Sequence, residues 1–202
     1  MVATLIRKRY RLMEFLELAG DLELAGTHEW HELIGGELVV HSSPRDPHMH
    51  VALAMGALVW AAEEAGFGRA GGDRMVALDY PQRGLNAEDV FKPDAFFVIA
   101  DREAILDAGE DGPPCVVGVP DLVVEVLSPT TAKFDAPGGD KFNAYERNGV
   151  RYYWLLDTNA RTVRQFEHRD GRLVQVGMLE SDDVLACPLF PSVTMALARI
   201  FR

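Results

Sequence analysis

Two periods of hydrophobic spacing alternate along this chain. Leu12, Phe15, Leu16 and Ala19 recur at helical intervals within residues 9–19. In HELIGGELVV, two short apolar runs flank Gly35 and Gly36, which predicts a β-hairpin with a glycine turn. A longer helix follows, carried by Val51, Ala54, Met55, Leu58, Val59 and Ala62. Asp46 suits its cap, Pro47 its first turn and Gly66 its end. MVALDY, FKPDAFFVIA, PDLVVEVLSP and VRYYWLLD read as strands, and Lys141 to Asn148 as a helix stopped by Gly149. TVRQFEHRDGRLVQV reads as a hairpin turning at Asp170-Gly171, and MALARIF as a short final helix. This order predicts an α/β fold: one mixed central β-sheet flanked by helices, with an N-terminal helix and β-hairpin.

Composition narrows the class. A length of 202 residues suits a single domain, 1–202, with residues 1–27 as an N-terminal extension. Cys115 and Cys187 stand far apart and in no metal-ligand spacing, which suits a reducing cytosol, so a cytoplasmic protein is expected. MVATLIRKRYRLMEF lacks the apolar core of a signal peptide, and no long apolar run predicts a membrane span. The net charge of −11 argues against broad electrostatic binding of nucleic acid. It leaves room for a local basic groove, and for acidic metal ligands whose charge a cation cancels.

The chemistry-bearing positions stand out against this background. Glu125 interrupts the apolar run LVVEVL, on the strand face it shares with Val123 and Leu127. A carboxylate there needs a compensating cation or donors. A buried ion pair with Lys or Arg is one answer. A metal is the other. Asp94 opens the apolar run AFFVIA directly after Pro93; alone it reads as a solvated strand-edge residue. Together, carboxylates from neighbouring strands can converge on Mg²⁺ (or Mn²⁺), with the Val126 carbonyl as a further ligand. Lys141, on the helix after the Glu125 strand, can be aimed at the same point to orient water and balance phosphate charge. The plainer reading is a solvated helix lysine. Tyr152, Tyr153 and Trp154 could resemble a base-stacking platform, but strand periodicity divides them between two sheet faces. Arg147 and Arg151 read equally as phosphate contacts or surface ion-pair partners.

Four blocks in order, HELIGGELVV, KPDAFFV, PDLVVEVLSPTT and DKFNAYERNGVRYYWLLD, resemble the Uma-two family of restriction-endonuclease-like proteins, within the PD-(D/E)XK nuclease-like superfamily. The resemblance runs from about Trp30 to the C-terminal region. It implies a restriction-endonuclease-like core and metal-dependent hydrolysis of phosphodiester bonds in nucleic acid, DNA ahead of RNA. Asp94 matches the acid of the PD motif and Glu125 that of (D/E)XK. Leu127 stands where the lysine usually follows, and Lys141 matches the lysine that takes its place on the next helix. Glu32 matches a further family glutamate, with Glu37 as runner-up. Asp135 matches an acid before the helix lysine, although the DAPGGDK loop is longer than the family's usual one, and Asp140 is an N-cap candidate there. His48 matches a family histidine at the start of the long helix, where a bond to nearby backbone is the plainer role. His50 has no match and reads as partly exposed.

Three rival readings remain at this level. One is a nuclease-like fold that binds or regulates without cutting. The second is a hydrolase of small phosphates, although no P-loop or H-E-x-x-H motif is present. The third is an interaction module in which Glu125 is simply ion-paired. A homodimer is also expected on the ground that cutting both strands calls for two sites.

Overall fold

The computed structural model describes residues 8–24, 29–42, 46–129 and 131–201. The extreme N-terminus, where a signal peptide was not expected, and the Asp46 side chain lie outside them. The elements run α1 (Leu12–Leu24), β1 (Glu29–Ile34), β2 (Glu37–Ser42), α2 (Asp46–Glu64), β3 (Gly68–Gly71), β4 (Val76–Ala77), α3 (Tyr80–Arg83), β5 (Val90–Phe91) and β6 (Ala95–Ile99). There follow β7 (Leu122–Val126), α4 (Ala132–Asp135), α5 (Asp140–Asn148), β8 (Tyr152–Asp157), β9 (Thr162–Arg169), β10 (Arg172–Leu179), β11 (Val184–Ala186) and β12 (Thr194–Ala196).

The central sheet is mixed and six-stranded, in the order β10-β9-β8-β7-β6-β3. Its one parallel pair is β7 with β8, joined through α4 and α5 as a parallel connection requires. Side chains alternate across it. Val124, Val126, Trp154 and Leu156 meet α2 and the C-terminal segment in one core. Val123, Tyr153 and Leu155 meet Phe142 and Tyr145 of α5 in the other. The aromatic run of β8 is thus divided between two cores and offers no exposed stacking platform.

The sequence predicts one sheet; the structure has more. The hairpin β1-β2 belongs to a four-stranded sheet, β2-β1-β5-β4, and β11 pairs with β12 in a two-stranded one. Pro93 accounts for the division. It has no N–H to give to a ladder, so FKPDAFFVIA breaks into β5, which joins the hairpin, and β6, which joins the central sheet. MVALDY contracts to β4, and MALARIF becomes part of β12 followed by a single 3-10 turn, Leu197–Arg199. Both hairpin turns adopt the backbone that the right-handed strand twist favours, with positive φ at Gly35 and Gly36 (55° and 81°) and at Asp170 and Gly171 (49° and 82°). α1 seats Leu12, Phe15 and Ala19 in a third core against Leu33 and Val90.

Candidate active site

Strand register brings the two principal acids together. β6 and β7 are antiparallel, with Ala95 opposite Val124 and Phe96 opposite Val123. Extending that register by one residue sets Asp94 opposite Glu125. The ladder is continued there by a side chain: the Val126 N–H donates to Asp94 Oδ2 at 2.7 Å. Period-two alternation then turns Glu125 toward α5, on the face of Val123. There the Tyr145 hydroxyl donates to Glu125 Oε1 at 2.6 Å.

Lys141 lies in the first turn of α5, with no exposed side-chain surface. Gly139 occupies the N-cap and contributes no side chain, so Asp140 is the first helical residue rather than the cap expected for it. Lys141 Nζ is 2.8 Å from Glu125 Oε1, 2.9 Å from Glu32 Oε1 and 3.3 Å from Asp135 Oδ1. It is therefore not a solvated helix lysine. Asp135 closes the short α4, where its N–H donates to the Thr131 carbonyl and its own carbonyl accepts from the Tyr153 hydroxyl at 2.8 Å. Glu32, on β1, reaches over from the second sheet, where its Oε1 accepts from the Lys92 N–H at 2.8 Å and its Oε2 lies 3.0 Å from His41 Nε2. Glu37 stands at the hairpin turn opposite Ile34.

Three carboxylates thus surround one ammonium, with Asp94 next to Glu125, and the electrostatics follow from that imbalance. Burial alone would discharge Lys141, but Asp135, Glu125 and Glu32 outweigh it and hold its pKa well above the usual value. Burial also pushes Glu32 up, yet Lys141 and His41 outweigh it and keep that carboxyl below its ordinary value. Glu125 is raised well above the carboxylate range, first by burial and then by the charges of Asp135, Asp94 and Glu32. Burial likewise raises Asp135, and raises Asp94 to about 6 against the pull of His48 and the Val126 N–H. With one ammonium among these acids, Glu32 is the one held below its ordinary value, while Glu125, Asp135 and Asp94 hold their protons more tightly than in water.

The remaining sequence candidates are placed as follows. His48, at the start of α2, lies 3.5 Å from Asp94 Oδ2, so it faces a site carboxylate rather than the backbone group expected for it. His50 is exposed. Arg147 pairs with Asp89 at 2.6 Å, and Arg151 lies over the Tyr152 ring, so both have surface protein partners. Sequence reasoning missed Tyr145, His41 and Trp30. Tyr145 is four residues beyond Lys141 on one helix face, a spacing that could have flagged it. The Gly35-Gly36 turn sets Trp30 opposite His41, and their rings stack at 4.1 Å.

Asp94 Oδ2 and Glu125 Oε1 have protein partners, whereas Asp94 Oδ1 and Glu125 Oε2 have none among the described residues. No three Asp, Glu, His or Cys side chains among the described residues form a ready metal-holding group. The donor set on offer is two carboxylate oxygens and the adjoining Val126 carbonyl.

A restriction-endonuclease-like α/β fold that gathers acids and a lysine at one end of its sheet is the class defined here. The chain belongs to the Uma2 family, described as "Putative restriction endonuclease", whose model matches residues 12–198. Among solved structures it is similar to one described as "a putative nuclease belonging to DUF820" from Anabaena variabilis. That match has a TM-score of 0.68 and 19% identity, and covers 95% of this chain and 97% of the other, a likeness of fold. No curated protein matches. Among the described residues, no helix is long and apolar enough to cross a membrane.

Proposed function

We propose that the chain is a metal-dependent endonuclease that hydrolyses phosphodiester bonds of nucleic acid, with DNA as the first expected substrate. The observation that carries this reading is the placement of Asp94 opposite Glu125 on adjacent strands, each with one carboxylate oxygen that has no protein partner among the described residues. Such a pair fits Mg²⁺ or Mn²⁺, which take a few protein oxygens and leave other positions to water and substrate. Asp94, Glu125 and the Val126 carbonyl would hold the ion. A divalent cation at such a site supplies Lewis-acid polarisation of the phosphate and a water of lowered pKa.

The chain's own residues prepare that chemistry. Lys141 keeps Glu125 oriented through its 2.8 Å contact and offsets charge on the approaching phosphate. Tyr145, one turn further along the same face of α5, fixes the same carboxylate. Glu32 and Asp135 anchor Lys141, and His48 lies beside Asp94.

Purified protein incubated with plasmid DNA, single-stranded DNA and RNA should cleave at least one of them in Mg²⁺ or Mn²⁺, and none in EDTA. The complete enclosure of Lys141 by acids favours a second reading, a nuclease-like binding protein that does not cut. Retention of nucleic acid without cleavage in either metal would select it.

A further inference from the structure

α2 is apolar on two faces. Val51, Met55, Leu58, Val59 and Ala62 enter the core. Met49, Leu53 and Trp60 point outward and are 42%, 69% and 57% exposed. A helix packed on one side normally presents polar residues on the other. Here the outward stripe lines a groove of about 620 Å³, together with Trp30, Lys92 and Pro93. His48 and Asp94 line the same groove, so it is continuous with the candidate active site.

We propose that this groove is the subsite for an unpaired nucleobase, stacked on Trp60 and Trp30 beside the phosphate held at Asp94 and Glu125. The substrate class is then single-stranded nucleic acid. The inference rests on the nuclease reading above and specifies its substrate. Continuity is the first argument: a phosphodiester seated at Asp94 has its neighbouring nucleoside within reach of this wall. Charge is the second. The chain carries −11 overall, and Lys92 is the only Lys or Arg among the described groove residues. Its Nζ already lies 2.7 Å from Asp73. Duplex binding without base contacts depends on cations that neutralise many phosphates, and this surface does not supply them. Stacking on aromatic rings works with any base, because every base has a π-face. The third argument is linkage: the Trp30 ring stacks on His41, which touches Glu32 of the lysine cluster.

Trp154 is buried, so quenching of tryptophan fluorescence reports on Trp30 and Trp60. The full chain would be titrated in Ca²⁺ with a single-stranded deoxyadenosine decamer, a matched duplex, and an abasic phosphodiester decamer. The single strand should quench and bind most tightly. Trp60→Ala, at an exposed position, should weaken that binding between about fivefold and a hundredfold. Trp60→Phe should stay within about threefold of the parent, because one ring replaces another. Equal binding of the abasic strand, or an unchanged Trp60→Ala, overturns the subsite; Asp94-dependent cleavage would then leave the nuclease reading standing. Failure to bind any of the three overturns the subsite, and absence of cleavage as well overturns both. A parent dimer that Trp60→Ala converts to monomer would assign this face to a second copy and overturn the proposal.

Discussion

Replacing Lys141 with Met keeps most of the side-chain volume and removes the ammonium from among Glu32, Glu125 and Asp135. All three contacts are at 3.3 Å or less, and the lysine is fully buried. Removing one partner from a buried charge cluster costs roughly 3–5 kcal/mol, because the partners are left uncompensated. For a chain of this length that corresponds to a fall in melting temperature on the order of 10 °C. The loss should depend on pH. Without Lys141, Glu32 would lose the charge that keeps it below its ordinary value, and Glu125 and Asp135 would rise further, so the native variant would hold more protons than the native parent or the unfolded chain. Its stability should then fall as pH rises from the ordinary carboxylate range toward neutrality. The gap between parent and Lys141→Met should therefore be larger at pH 8 than at pH 5. Urea denaturation at both pH values, in EDTA, measures it. A gap that is absent, or equal at the two pH values, would refute the claim that the ammonium pulls the pKa values of these carboxyls down.

Other outcomes follow from individual contacts. Asp94, raised from 3.8 to about 6, favours folding below its unfolded pKa and loses that contribution as pH rises through about 6. In EDTA its share of the stability should fall by up to about 3 kcal/mol across that window, and Asp94→Asn should flatten the profile obtained by urea denaturation. Tyr145→Phe leaves the ring but removes the 2.6 Å bond to Glu125; a loss of about 1–3 kcal/mol in urea is expected. Gly71→Ala would place a Cβ 2.0 Å from Phe96 Cζ, a ring with no exposed surface to retreat toward. Overpacking there should cost about 1–3 kcal/mol by the same assay.

Much of the site was legible because it depends on local rules. Glu125 in an all-apolar strand, Asp94 at the head of another, and Lys141 on the following helix are each conspicuous in the sequence, and antiparallel register alone sets the two acids opposite one another. The central position of Glu32 was less visible. It arises from a hairpin in a different sheet, and Pro93 places that sheet by splitting what reads as one strand. β3 escaped notice because GRAG has no strand-forming residue. It pairs with β6, and the bare Gly71 receives the Phe96 ring, so its reason to be a strand lies in the partner. His41 and Trp30 were passed over since neither stands in an apolar run; the hairpin register gives them their place.

The central claim is that the acids beside Lys141 form a cutting centre rather than a buried ion-pair network. Asp94→Asn tests it most directly. The amide oxygen can still accept from the Val126 N–H, so the fold should persist while one negative charge is lost. The measurement is the single-turnover rate of nucleic-acid cleavage in Mg²⁺ or Mn²⁺, parent against variant, on protein of matched melting behaviour. The account predicts a fall of at least about a hundredfold, since altering even an outer partner of a metal ligand commonly costs 10–100-fold. A variant that cleaves as fast as the parent, or a parent that cleaves nothing in either metal, would contradict it.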